Sequence, residues 1–262
     1  MNILGDKLIR DTGFLILKTK NLVFKFPMSF SAFKEITVEK KILRLVEKDQ
    51  HFKKYLPHYH FSPWFISTSL MMNFLKSRNA ESLIKNYFKE AFINQDQWLP
   101  VPLSDVPSSQ YFLSFTRRHS PGNHDRWKNF LNRLIIARSS SHGDFYPDNI
   151  LVDDNRLFFI DWPQYDEFSS RFFDLINFYV FSAKSEDSWT KAWQKIYGSG
   201  LSVFQGIKVD KKYFVAYAVY KVSKELSILQ LRNQLNSYKN QKYINFINQL
   251  TKIIDSDRNF LI

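Results

Sequence analysis

Short alternating runs of apolar and polar residues open the chain and give way, after residue 27, to longer stretches with a helical rhythm. Lys7 to Arg10, Phe14 to Lys18 and Leu22 to Phe26 read as three strands, joined by turn clusters at Asp11-Thr12-Gly13 and Thr19-Lys20-Asn21. They predict a small antiparallel sheet. From about Ser31 to Lys48, Ile36, Glu39, Ile42, Leu43 and Val46 recur at the spacing of one helix face. Trp64 to Leu75 reads as two strands ending in a connector, Lys76-Ser77-Arg78-Asn79 as a hinge, and Ala80 to Ile93 as a helix.

Beyond Gln97 the prolines at 100, 102 and 107 predict a loop, and Trp127, Phe130, Leu131, Leu134 and Ile135 predict a helix from His124 to Arg138. Ile150-Leu151-Val152 and Leu157-Phe158-Phe159-Ile160, separated by Asp153-Asp154-Asn155-Arg156, read as a β-hairpin. After Asp174 the pattern is helical, over Leu175 to Ala183, Ser188 to Ile196, Tyr213 to Leu235 and Tyr243 to Ile254. The chain thus reads as α+β, with strands gathered early and helices late.

Composition narrows the setting. The 262 residues suffice for one large domain or two lobes whose core needs no disulfide or metal staple, and 26 Phe with 13 Tyr make that core unusually aromatic. Cysteine is absent, which excludes disulfides, thiolate metal sites and cysteine nucleophiles. The opening residues contain no apolar signal-like segment and no run of 18 apolar residues occurs, so a cytoplasmic protein is expected. A net charge of +12 favours anionic partners. The basic residues are scattered in small groups with no nucleic-acid module beside them, so no specific nucleic acid is expected, while peripheral contact with an anionic membrane surface stays open.

The candidate chemistry lies between Ser141 and Asp174. His142-Gly143-Asp144 is followed by Asn149 and, across the predicted hairpin, by Asp161. Pairing Ile150–Val152 with Phe158–Ile160 would set Asn149 opposite Asp161, bringing an amide oxygen and a carboxylate together as hard ligands of the kind Mg²⁺ takes. Asp144, five residues before Asn149, stands where protein kinases place the aspartate that receives the acceptor's proton. Gly143 permits a tight turn beside it. Lys25 is embedded in an apolar strand, where an ammonium is costly unless paired or working. His58 and His60 share a strand face without a third ligand nearby, and Arg117-Arg118-His119 reads as a solvated basic loop.

The string HGDFYPDNILV, followed by IDW and later DL, resembles the aminoglycoside phosphotransferase and choline kinase family, kinase-like enzymes that act on small molecules. The resemblance implies a two-lobed protein-kinase-like fold: a small N-terminal antiparallel sheet with one helix over residues 1–76, and a larger, mostly helical C-terminal lobe over 77–262. It implies ATP and Mg²⁺ as cofactors. Lys25 matches the phosphate-binding lysine, Glu39 the helix glutamate that pairs with it (Glu35 being the runner-up), and Asn73, Phe74 and Leu75 the connector that holds adenine. His142 matches a loop brace and Asp174 the aspartate that supports the catalytic loop. One departure concerns the loop over the phosphates, glycine-rich in protein kinases, for which Gly13 is the sole glycine available.

The implied reaction moves a γ-phosphate to a hydroxyl of a small molecule or sugar. Trp162, Tyr165, Asp166 and Glu167 directly follow Asp161 and offer rings and carboxylates to a cationic acceptor. The basic surface suits a phosphorylated sugar or a cell-surface glycan instead. A catalytically silent kinase-like binding module is the reading from a different class.

Overall fold

The computed structural model describes residues 7–10, 13–182, 203–204, 207–231 and 237–256. The chain divides into two compact units, residues 1–91 with 142–165, and residues 92–141 with 166–262.

In the first unit, β1 (Lys7–Arg10), β2 (Phe14–Lys18), β3 (Leu22–Pro27), β4 (Tyr59–Phe61) and β5 (Ile66–Ser69) form an antiparallel sheet in the order β1-β2-β3-β5-β4. Helix α1 (Phe30–Val46) begins where the Ser29 side chain accepts the amide of Ala32 at 3.2 Å. It buries Ala32, Ile36, Glu39, Leu43 and Val46, a stripe spaced by three and four residues. Glu39 is the one charged member of that stripe.

The hairpin of β9 (Ile150–Asp153) and β10 (Arg156–Phe159) joins the short β6 (Met72–Asn73) in a second sheet. Asp154 and Asn155 make its turn with φ of 46° and 60°, values these two residue types tolerate best among non-glycines. Beneath it, Phe52, Tyr55, Tyr87, Phe145, Phe159 and Trp162 pack ring against ring. Phe145 meets Phe159 edge-on at 4.8 Å and stacks on Tyr87 at 5.2 Å. Much of the chain's aromatic excess is thereby spent as core; α2 (Ala80–Ala91) supplies Tyr87 and Phe88 to it.

The second unit contains α3 (Ser109–His119), α4 (Pro121–Arg133), α5 (Arg171–Ser182), α6 (Lys212–Leu231) and α7 (Ser237–Ser256), with a sheet ordered β11 (Asp166–Ser169), β8 (Ile135–Ser141), β7 (Leu99–Pro102). A two-stranded ladder joins β12 (Val203–Phe204) to β13 (Ile207–Lys208). Two expectations are corrected here. The proline-marked loop contains strand β7, which tolerates Pro100 and Pro102 because it is the sheet's edge. The helix expected over His124 to Arg138 ends at Arg133: Leu134 turns extended with ψ of 92°, and the β-branched pair Ile135-Ile136 starts β8. The helix expected from Ser188 to Ile196 lies outside the described residues.

Candidate active site

Lys25 lies mid-strand in β3, opposite Ile16 on one side and Ile66 on the other. Its Nζ donates to Glu39 Oε2 at 2.6 Å and stands 3.8 Å from Asp161 Oδ1 and 4.7 Å from the centre of the Phe14 ring. Glu39 follows Lys25 by 14 residues and reaches it from the buried face of α1. Burial pushes the Glu39 carboxyl above its ordinary range; the Lys25 ammonium opposes this, while Asp161 and Glu35 add to it. With both carboxylates ionised, one ammonium between them leaves the cluster net negative, a local field that favours an added cation.

The loop carrying Asp144 is fixed from both sides. His142 is fully buried, with its ring 4.3 Å from that of Trp162. Its Nε2 lies 3.0 Å from the Ile160 carbonyl oxygen and its Nδ1 lies 3.4 Å from the Asp144 amide. One neutral tautomer satisfies both: Nε2–H donates to Ile160 and Nδ1 accepts from Asp144. His142 thus joins the backbone just before Asp161 to the backbone of Asp144.

Gly143 turns with φ of +80°, and a Cβ built there would sit 2.1 Å from the Gln164 carbonyl oxygen. Asn149 is buried at the end of a single 3₁₀ turn, Pro147–Asn149. Its Nδ2 donates to the Asp144 carbonyl at 2.9 Å, which leaves the amide oxygen as the atom able to ligate a metal.

The hairpin register differs by one residue from the expected pairing. Phe159 faces Ile150, and the Ile160 amide donates to the Asn149 carbonyl at 3.0 Å, so Asn149 stands opposite Ile160 rather than Asp161. A one-residue slip would normally turn a side chain to the other face. Asp161 leaves that pattern through a left-handed backbone with φ of 64°, and its carboxylate faces Lys25.

Among the described residues no cluster of three His, Cys, Asp or Glu forms a metal cage. The hard oxygens that could hold a metal are the Asn149 amide oxygen and the Asp161 carboxylate. Such a sparse set of hard oxygens fits Mg²⁺, which keeps several waters and takes the rest of its shell from substrate phosphates.

At the connector, the Asn73 side chain caps a 3₁₀ turn over Phe74–Lys76 by accepting the Leu75 amide at 3.0 Å, and the Phe74 carbonyl accepts from Ser77. Phe74 is buried and Leu75 is 65% exposed. Asn73 is tied to Leu151 of β9 by the β6–β9 pairing. Of the expected phosphate-covering loop, Asp11 and Thr12 lie outside the described residues. Gly13 is described, with φ of +79° and its carbonyl accepting from Met28.

The residues read as acceptor contacts divide. Trp162 is wholly buried and its indole N–H donates to the Phe159 carbonyl at 2.9 Å; Tyr165 is buried and its hydroxyl donates to Asp49 Oδ2 at 2.8 Å. Neither ring is open to a ligand's face. In the second unit, Glu167 is exposed, whereas Asp166 Oδ2 is 2.9 Å from Lys224 Nζ. Lys224 was not foreseen as a partner. The sequence signal for it is a charge within the largely apolar run of α6, KYFVAYAVYKVSKELSILQL, which it shares with Lys221 and Glu225. Asp174 is fully buried in the first turn of α5. His58 and His60 are both exposed.

No protein-family model matches the sequence, and no curated protein does. Solved structures do. A choline/ethanolamine kinase family protein from Mesorhizobium loti is similar over 97% of this chain and 89% of its own, at 13% identity and a TM-score of 0.53. A macrolide 2′-phosphotransferase type I is similar over 89% and 88%, at 12% identity and 0.51. A choline kinase from Streptococcus pneumoniae is similar over 96% and 95%, at 14% identity and 0.50. With a small antiparallel sheet and α1 in the first unit and a mostly helical second unit, this chain has the fold of the protein-kinase-like phosphotransferases.

Proposed function

We propose that the chain is an ATP-dependent phosphotransferase whose acceptor is an alcohol on a small molecule or sugar. The observation that carries this reading is the Lys25–Glu39 pair at 2.6 Å with Asp161 3.8 Å from the same ammonium. Nothing in folding requires it: a buried carboxylate with a lysine embedded in an apolar sheet is weak as a stabilising device. It is well suited to hold an ammonium beside phosphates.

Lys25 binds the α- and β-phosphates and Glu39 orients it. Asn149 and Asp161 would hold Mg²⁺, which when bound would supply neutralisation of phosphoryl charge. The acceptor oxygen bonds to the γ-phosphorus as the bond to the β-phosphate oxygen breaks, and the hydroxyl proton passes to Asp144. Placement dominates in a loose phosphoryl-transfer transition state, so the bracing of Asp144 by His142 and Asn149 matters more than its basicity. The functional division is kept at Lys76 and Ser77, with the connector residues Asn73 to Leu75 receiving the base.

The related structures are named for choline and for macrolides, acceptors of different charge and size. A cationic acceptor held on Trp162 and Tyr165 is disfavoured, because both rings are core and Asp166 is paired with Lys224. The net charge of +12 favours an acceptor that itself carries phosphate or carboxylate, such as a cell-surface glycan sugar.

The test is thermal melting with and without ATP and Mg²⁺, on the native chain and on Asp161→Ala. A ligand at a hundred times its Kd stabilises the folded state by about 2.7 kcal/mol. A metal-dependent rise that vanishes in the variant supports the nucleotide site; no rise in either protein supports the silent binding module.

A further inference from the structure

Helix α1 has a second face that the phosphotransferase reading does not use. Phe30, Lys34, Val38, Lys41 and Leu45 recur at spacings of four and three residues, and all five are exposed. At about 100° per residue they fall on one strip of the helix, flanked by Phe33 and Arg44, within an arc of about 140°. No Asp or Glu falls in that arc, since Glu35 and Glu47 lie outside it and Glu39 points to the core.

The strip is extended by a second element. Trp64, on the turn between β4 and β5, is 68% exposed and its ring lies 6.0 Å from that of Phe33. This is no loose tip, for Lys40 Nζ donates to the Ser62 carbonyl and, at 3.2 Å, to that of Pro63, fastening the turn to α1. Phe30 is 75% exposed, with Lys34 Nζ 4.6 Å from its ring centre. Large aromatics held outward among cations, with aliphatic Val38 and Leu45 between, are the side chains that enter the headgroup boundary of a membrane.

We infer that this face of α1, with Trp64, docks the protein on an anionic lipid surface, laying the helix in the interface plane. Charge complementarity selects the occupant: three cations without an acid suit anionic headgroups, and the aliphatic members gain nothing from the polar grooves of a nucleic acid. Among the described residues no helix is long and apolar enough to cross a membrane, so the attachment is peripheral. The inference does not depend on the phosphotransferase reading, because docking needs neither nucleotide nor Mg²⁺.

The experiment is co-sedimentation of the full chain with vesicles of phosphatidylcholine alone or with about a third phosphatidylglycerol, at two salt concentrations. The native chain should partition onto the anionic vesicles, and less so at higher salt. With roughly 1 kcal/mol per basic residue near such a surface, Lys34→Ala with Lys41→Ala should weaken partitioning about thirtyfold. Phe30→Ser with Trp64→Ser should weaken it at both salt concentrations. All four positions are on the surface, and unchanged melting temperatures confirm that the variants remain folded. Equal partitioning of native and variant proteins, no anionic preference, or tighter binding to an RNA oligonucleotide than to the vesicles overturns the inference.

Discussion

Gly143 and Gln164 approach so closely that any side chain at position 143 would collide with backbone: an added Cβ would lie 2.1 Å from the Gln164 carbonyl oxygen and 2.8 Å from its carbon. The contact holds the turn before Asp144 against the segment that follows Asp161. Gly143→Ala therefore suffers twice, from the clash and from a φ of +80° that L-residues rarely adopt. Expected is a loss of about 3 kcal/mol or more of stability in urea unfolding, together with loss of phosphotransfer. A fully stable, active variant would show that the loop moves freely, and His142 and Asn149 would then not be its anchors.

Glu39 should separate stability from function as the pH falls. Its folded-state pKa is raised, chiefly by burial, so the native state holds more protons than the unfolded state between the two values. Stability from this group is therefore complete below the unfolded pKa and is lost as pH rises through the folded one. Relative to Glu39→Gln, the native chain should gain stability on acidification through that window. Nucleotide binding should weaken over the same range, because protonated Glu39 no longer pairs with the Lys25 ammonium. Parallel melting curves of the two proteins with and without ATP and Mg²⁺ test it; a stability difference that does not change with pH would remove the linkage.

Asp144 and Asp161 are expected to fail in different ways. Asp144→Asn removes the proposed proton acceptor while keeping shape, so phosphotransfer should fall about 10²–10⁴-fold with the nucleotide-dependent melting shift intact. Asp161→Ala should lose the shift itself. Asn149→Ala should lose part of the shift and also loosen the Asp144 loop, whose carbonyl accepts from Asn149 Nδ2 at 2.9 Å. Loss of the melting shift in Asp144→Asn would mean that this residue, too, binds the nucleotide–metal complex.

Local patterns were legible where one strand or one helix face decided them. The first three strands and the buried stripe of α1 follow directly from periodicity, and Lys25 stood out as a charge in an apolar strand. The expected pairing of Asn149 with Asp161 missed by one residue, because hairpin register depends on turn geometry: with Asp154 and Asn155 both left-handed, the turn is two residues long and Asp153 pairs with Arg156. The burial of Trp162 and Tyr165 is not legible from periodicity, which cannot say which side of a short loop faces the core. The helix expected to run to Arg138 illustrates the ambiguity of a short apolar run, where Leu134-Ile135-Ile136 suits either element until Pro100 and Pro102 supply an edge strand beside it.

Lys224 and Asp166 join α6 to β11 in the second unit, with side chains 15% and 10% exposed and 2.9 Å between Nζ and Oδ2. A pair this far from water is sensitive to removal of one partner, since the remaining charge loses its counter-ion without regaining full hydration. Lys224→Met should cost about 3 kcal/mol. Asp166→Asn keeps the acceptor for the Phe168 amide at 2.9 Å and strands only a long lysine that can reach for solvent, so it should cost less. The double variant should be more stable than Lys224→Met alone, and urea unfolding of all four proteins gives the coupling directly. Purely additive losses would show that Asp166 is solvated in solution and available to an acceptor, reviving the cationic substrate that the pairing with Lys224 argues against.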